Sequence, residues 1–300
     1  MLHKILATVV LMSILITLVG SEAYSESGKI VLGKISDKPT KKLKEYQPLA
    51  DYLAEYLNDV GIETGEVKVA PDIETMARWM ASGEVDLFFD NPYSAFLVGD
   101  RSGAQPIIFR IKEGPSEKHG VFFALAESGL TSLADLEGRL IALEEPESAS
   151  DYLLPMVHML EAGMNPVKKS DINDPVAADE VGYVFSYDSD KTVQLLVTKK
   201  IEAGVITDDD FQKISDANPG VLVVLAETEE GTRNQLGIVR AGMDPSVVEA
   251  MITLLTGLDK TAEGPMVMES SETLRFEEIS GDLGTILTRL RTMYELVQNR

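Results

Sequence analysis

An α/β fold in two lobes, each a mixed, mainly parallel sheet flanked by helices, is predicted by three features of the sequence. Strand-like and helix-like segments alternate from residue 29 onward. The alternation breaks once, near residues 112–120, and then resumes without a flexible linker. No segment repeats at a fixed period, which sets aside solenoids and propellers. The first lobe is placed at residues 26–115 plus 225–300 and the second at 116–224, sharing a hinge.

The chain opens with a segment read as a targeting signal, residues 1–23. Lys4 precedes an uncharged run over residues 5–19, and Ser21-Glu22-Ala23 puts small residues at the two positions a signal peptidase reads. As a helix that run rises only about 22 Å, short of a roughly 30 Å hydrocarbon core. Export to the periplasm with cleavage after Ala23 is therefore expected, an uncleaved anchor being the alternative. The chain has no cysteine, so disulfides, thiolate nucleophiles and a lipid-modified cysteine anchor are all excluded.

Residues 30–35 form a short apolar strand that stops at Ser36-Asp37-Lys38-Pro39. Leu49, Leu53 and Leu57, with Tyr46 and Tyr52, repeat at helical spacing over residues 43–57, and Gly61 ends that helix. Residues 67–70 give a second strand, Pro71-Asp72 opens a helix through Met76, Trp79 and Met80, and residues 85–89 give a third strand. Pro92 stands where a helix begins without losing a needed N–H. In the second lobe, strands are expected at 121–125, 140–143, 181–185 and 203–206, with helices over 151–162 and 191–198. Strands at 221–226 and 236–239 and helices at 245–258 and 283–297 close the chain. Phe88 and Phe89 alternate faces, so one is expected in the core and the other toward a cleft. Met156, Met159, Met164, Met266 and Met268 read as core fillers.

A net charge of −22 argues against nucleic acid or an anionic membrane as partner, because both need clustered Lys and Arg. It leaves small ligands open, since a pocket answers to its own donors. In open α/β sheets ligands bind beyond the carboxyl ends of strands, which singles out the loops after residues 35, 89, 143, 185 and 206. The loop over residues 145–155 clusters hydroxyls between a strand and a helix. Ser148 and Ser150 there either cap the helix or, with the backbone N–H groups, hold an anion or polar oxygen.

Several motifs, in order, resemble the phosphate, phosphite and phosphonate binding proteins of ABC importers. Tyr46-Gln47-Pro48-Leu49-Ala50-Asp51-Tyr52-Leu53 looks like that family's first helix, and Gly83-Glu84-Val85-Asp86-Leu87-Phe88-Phe89 with Pro92 and Ser94-Ala95 like its third strand and turn. Residues 145–155 are similar to its serine-threonine-serine loop, and Phe185-Ser186 with Ile201-Glu202-Ala203-Gly204-Val205 to its return segment. The resemblance covers roughly residues 29–260 and implies a type II periplasmic binding protein, whose lobes close on a ligand held between them.

The departures bear on the ligand. Ala149 and Asp151 stand where the family carries threonine and glycine, Asp90 where it often carries an aromatic residue, Ile73 for a tyrosine and Ser189 for a histidine. Asp190 fits the acidic position of relatives that hold an amino group. A carboxylate beside a bound dianion is repulsive by roughly 4 kcal/mol per unit charge at 4 Å and an effective dielectric near 20. The resemblance and its departures thus imply a zwitterion, an amine or a neutral polar solute in a phosphonate-like site. The candidate contacts are Ser148, Ala149, Ser150 and Asp90, with Tyr93, Ser189 and Asp190 behind them and His119 near the lobe crossover. Asp90, Asp188 and Asp190 also read as helix caps facing water.

Catalysis has little support. Beyond residue 23 only His119 and His158 remain, and His158 lies mid-helix beside Val157, Met159 and Leu160. No nucleophile elbow, zinc-protease motif, phosphate-cradling loop or dinucleotide fingerprint is present. Asp208-Asp209-Asp210 reads as an acidic helix start and not a metal site. The expectation is a monomeric binding protein without cofactor or metal, delivering its solute to a membrane permease. A sensory module presenting to a membrane kinase or chemoreceptor is the alternative, and an exported hydrolase with a carboxylate pair is a third reading.

Overall fold

A computed structural model describes residues 28–114, 117–232, 234–279 and 283–299. The predicted export signal lies outside the described residues. Among them no helix is long and apolar enough to cross a membrane.

The chain builds two six-stranded sheets of the same design. The first lobe runs β1 (Lys29–Ile35), α1 (Pro39–Tyr56), β2 (Thr64–Ala70), α2 (Ile73–Ser82), β3 (Leu87–Asp90), α3 (Pro92–Ser102) and β4 (Gln105–Lys112). A short strand β5 (Glu117–Lys118) leads across to β6 (Gly120–Leu125), β7 (Arg139–Leu143), α4 (Leu154–Glu161), β8 (Pro166–Lys168), β9 (Val181–Phe185), α5 (Ser189–Val197), β10 (Ala203–Thr207), α6 (Asp208–Ala217) and β11 (Leu222–Glu227). The return strand β12 (Gly231–Thr232) pairs antiparallel with β5, and the two form a separate ribbon between the sheets. The chain then completes the first lobe with β13 (Gln235–Val239), α7 (Pro245–Gly257), α8 (Gly264–Glu269) and β14 (Thr273–Glu278), and ends in α9 (Leu283–Gln298).

Strand order is β14-β4-β13-β3-β1-β2 in one sheet and β11-β6-β10-β7-β9-β8 in the other. In each, the strands joined by helices pair in parallel (β1 with β2 and β3; β7 with β9 and β10), as helical crossovers require, and antiparallel strands complete the sheet. The second sheet holds β11 through Glu227, so the expected boundary at residue 224/225 cuts a strand, and the return crossing falls at the β12 ribbon.

Both sheets are covered on two faces, which explains their apolar strands. Phe88 and Phe89 do point to opposite faces, yet neither reaches a cleft. Phe88 belongs to a core that continues into Phe122, Leu153 and Met156 of the second lobe, whereas Phe89 packs with Leu49, Leu53 and Phe276 on the other face. Met156, Met159, Met164 and Met268 are buried as expected, but Met266 is 70% exposed on the short helix α8. The last helix crosses the junction: Leu287, Leu290 and Met293 lie against the shared core, and Arg291 pairs with Asp100 at 2.7 Å. Strands β4, β8 and β14 have no counterpart in the sequence reading. In β4, Gln105, Arg110 and Lys112 interrupt the apolar run and mask its strand pattern.

Candidate functional site

The turn after β7 is shaped by its own side chains. Ser148 is the cap: its Oγ accepts the N–H of Asp151 at 3.1 Å and donates to Asp151 Oδ2 at 2.7 Å. Residues Ala149–Leu153 make one π-helical turn before α4. Gly120 lets this turn close onto β6, for a Cβ there would stand 2.3 Å from the Ser150 carbonyl oxygen. From the first lobe, Asn91 caps α3 by accepting the N–H groups of Tyr93 and Ser94, and Ser94 Oγ then donates to the Glu147 carbonyl at 3.0 Å. The turn thus sits at the lobe junction and touches both halves.

In front of it lies a polar pocket of about 220 Å³, lined by Ser148, Ala149, Ser150 and Asp151 of the second lobe, Lys118 and Thr232 of the ribbon, and Asn91, Lys112 and Gln235 of the first lobe. The first-lobe wall is backed by fixed positive charge. Arg110 is fully buried and donates to Tyr46 Oη at 2.6 Å, Thr273 Oγ1 at 2.7 Å, Gln235 Oε1 at 2.5 Å and the Ser271 carbonyl, none of them a carboxylate. Lys34, also buried, donates to the Phe89 carbonyl at 2.5 Å and stands 3.5 Å from Asp90. Burial opposes ionisation of Tyr46, but Lys34 and Arg110 beside it prevail and lower its hydroxyl pKa.

The second-lobe side is its electrical opposite, with Asp151 lining the pocket and Glu144, Glu145 and Glu147 in the chain leading to it. Removal from bulk water first, and then the carboxylates of Asp151, Glu145, Asp210 and Asp188, push Glu144 up to about 8. The same causes, with Asp151, Glu147, Asp37 and Asp90 as neighbours, push Glu145 up to about 7. Burial also raises Glu147 and Asp151, the latter against the pull of Ser148, Lys118 and Ser150. Asp151 Oδ1 is buried and makes no hydrogen bond of good geometry, although the Ser150 side chain acts on the same carboxyl.

Of the candidate contacts named from the sequence, Ser148, Ala149 and Ser150 line this pocket, beside Asp151 of the same turn, and the others do not. Asp90 does not line this pocket, and it is not the cap of α3: its Oδ1 accepts the Asn91 N–H at 2.8 Å and its Oδ2 faces Lys34. Tyr93 is buried behind the turn, lining a separate apolar crevice against Leu153, Leu290 and Met293, where burial raises its hydroxyl pKa. Ser189 and Asp190 form the first turn of α5 beneath the Asp188 cap. His119 stands at the ribbon's exit, 3.8 Å from Asp208 and 3.9 Å from Glu227. The Asp208–Asp210 run is the first turn of α6, capped by Thr207. The sequence reading missed Lys112, Lys118, Gln235 and Arg110. The usable signal was alternation: Ile108, Arg110 and Lys112 share one face of β4.

Two lobes of one design, joined by a two-strand ribbon with a polar pocket between them, define a type II solute-binding protein. The chain belongs to the family described as the phosphonate periplasmic substrate-binding proteins of ABC transporters, whose model matches residues 32–283; it is a solute-binding protein of an ABC importer. It is 25% identical over 247 residues, 78% of this chain and 72% of the relative, to the phosphate-import protein PhnD of Mycolicibacterium smegmatis. Its fold is similar to XAC2383 of Xanthomonas citri bound to ATP, with TM-score 0.83 and 25% identity over 91% of this chain and 99% of that one. PhnD1 of Prochlorococcus marinus, in complex with methylphosphonate, shares the fold at TM-score 0.61 and 16% identity, covering 89% and 98% of the chains.

Proposed function

We propose that this protein is exported and captures a small polar solute between its lobes, at the pocket in front of the Ser148–Asp151 turn, for delivery to the membrane permease. The observation that carries this reading is the composition of that pocket: both lobes and the ribbon each contribute polar side chains to it. A ligand touching all three is bound fully only when the lobes are together, so binding energy goes into closure. The cross-lobe bond from Ser94 to Glu147 fits a closed arrangement. The family's periplasmic placement supports export.

Lys112 and Lys118 supply an anion-binding edge in place of the tyrosine, histidine and threonine donors that this sequence lacks. A solute with an anionic group therefore fits, provided the rest of it tolerates the acidic wall. An adenine nucleotide is a second reading, favoured by the likeness to XAC2383 bound to ATP. A screen of the purified chain lacking residues 1–23 tests both: thermal shifts with oxyanions, phosphonates, zwitterions, amines and ATP, followed by small-angle scattering with each hit. A ligand at 100 times its Kd stabilises the protein by about 2.7 kcal/mol, and the scattering radius falls on binding. Hits that bind without compaction defeat capture by closure.

A further inference from the structure

The cation behind the first-lobe wall is held without a carboxylate. Arg110 is fully buried, and its guanidinium donates to Tyr46, Thr273, Gln235 and the Ser271 carbonyl. The neighbouring cations are better matched: Lys34 faces Asp90, Lys112 pairs with Glu272 at 3.0 Å, and Lys118 acts through space on Asp151 and Asp210. Gln235 stands directly opposite Arg110 in the β4–β13 pairing, and of the four acceptors it alone lines the pocket. A guanidinium has donors and no acceptor, so the amide turns its oxygen to Arg110, where Oε1 accepts at 2.5 Å. The same bond leaves the Nε2 hydrogens on the other arm of the amide, on a half-buried side chain that borders the pocket. A glutamate of the same length would meet Arg110 with a charge-assisted pair, yet the chain carries the neutral amide.

We infer that Gln235 is a solute-binding donor and Arg110 the positioning residue behind it: the guanidinium fixes which way the amide faces, and its uncompensated charge is met only when an anionic group of the solute accepts from Gln235 Nε2. This rests on the solute-capture reading and adds two residues to it, neither of them in the serine turn. Because the relay is neutral, the charge of Arg110 is felt in the pocket instead of being cancelled within the first lobe. The arrangement gives up fold stability for binding. Arg110 has already lost its hydration, so a carboxylate at position 235 would gain an ion pair while shedding only part of its own water. The rival source of counter-charge is Tyr46, whose hydroxyl lies 2.6 Å from Arg110 and whose ring lies 5.1 Å from Lys34. An ionised Tyr46 would neutralise Arg110 from within and leave Gln235 a structural acceptor only.

The test measures stability and affinity together in wild type, Gln235→Glu and Gln235→Met at neutral pH. Inorganic phosphate, methylphosphonate and ATP are the probes, titrated by calorimetry, and melting temperatures are read on the solute-free chains. Gln235→Glu is expected to raise the melting temperature by about 2 °C or more and to weaken the best-bound probe at least about tenfold. Gln235→Met, which keeps the length and removes both polar atoms, is expected to lower the melting temperature and to weaken the same probe. A purely structural acceptor would move stability and affinity in the same direction, so opposite signs in the glutamate variant mark the binding role. A glutamate variant that does not melt above wild type shows that the charge of Arg110 is met from within, and overturns the inference. Undiminished affinity in either variant also overturns it and leaves solute capture standing. Wild type that binds none of the three probes overturns it as well, and an empty solute screen in addition overturns solute capture itself.

Discussion

The two walls of the inter-lobe pocket are built by opposite means. On the first-lobe side, cations are buried and locked: Arg110 by four neutral acceptors, Lys34 by a carbonyl, a carboxylate and the Tyr46 ring 5.1 Å away. On the second-lobe side, burial raises the pKa values of Glu144, Glu145, Glu147 and Asp151, and neighbouring carboxylates add to the rise at Glu144 and Glu145. One wall holds its charge by hydrogen bonds that leave little freedom, whereas the other relieves its charge by taking up protons. The contrast teaches that the first wall is fixed by its hydrogen bonds, while in the second Glu144 and Glu145 titrate near neutrality.

The largest effect is expected from the rigid wall. Arg110→Met leaves the Tyr46, Gln235, Thr273 and Ser271 acceptors without their donor and should cost about 3 kcal/mol in denaturant unfolding. A loss below about 1 kcal/mol would mean that the network does not organise the first lobe. Next is Gly120→Ala, whose Cβ would meet the Ser150 carbonyl oxygen at 2.3 Å. Pushing the turn off β6 should cost about 2 kcal/mol and weaken solute binding, both readable by calorimetry. Ser94→Ala removes the 3.0 Å bond to Glu147 across the junction, worth about 1 kcal/mol, and should lower ligand affinity about fivefold with little change in fold stability.

The smallest effect sharpens the comparison most. Glu144 has a folded pKa of about 8 against an ordinary value of 4.5, so between those values the folded protein holds a proton that the unfolded chain has released. Its contribution therefore makes stability fall as pH rises from about 4.5 to about 8. Glu144→Gln should flatten that slope and raise the melting temperature at pH 8 while changing it little at pH 5. The same profile in wild type and variant would show that the acidic wall is not strained.

Much of the fold was legible because its signals are local. The α3 start at Pro92, the helix over Pro245–Gly257 and the closing helix follow from proline placement and apolar spacing. The Ser148 cap was legible for the same reason, as a hydroxyl before a helix. The positive wall was not, because its parts are brought together by pairing distant in sequence. Arg110 meets Thr273, 163 residues away, and Gln235, 125 residues away, and neither partner marks itself as buried. Asp90, Ser189 and Asp190 were read by position in a family pattern, yet the Asp90 side chain is held by Asn91 and Lys34, and Ser189 and Asp190 stand in the first turn of α5, outside the pocket.

A crystal structure of the protein with a solute from the screen tests the central claim most directly. The account predicts ligand density between Asn91, Lys112 and Gln235 on one side and the Ser148–Asp151 turn on the other, with the ribbon residue Lys118 in contact. Density in the apolar crevice behind Tyr93, or on an outer face of either lobe with that pocket vacant, would contradict it.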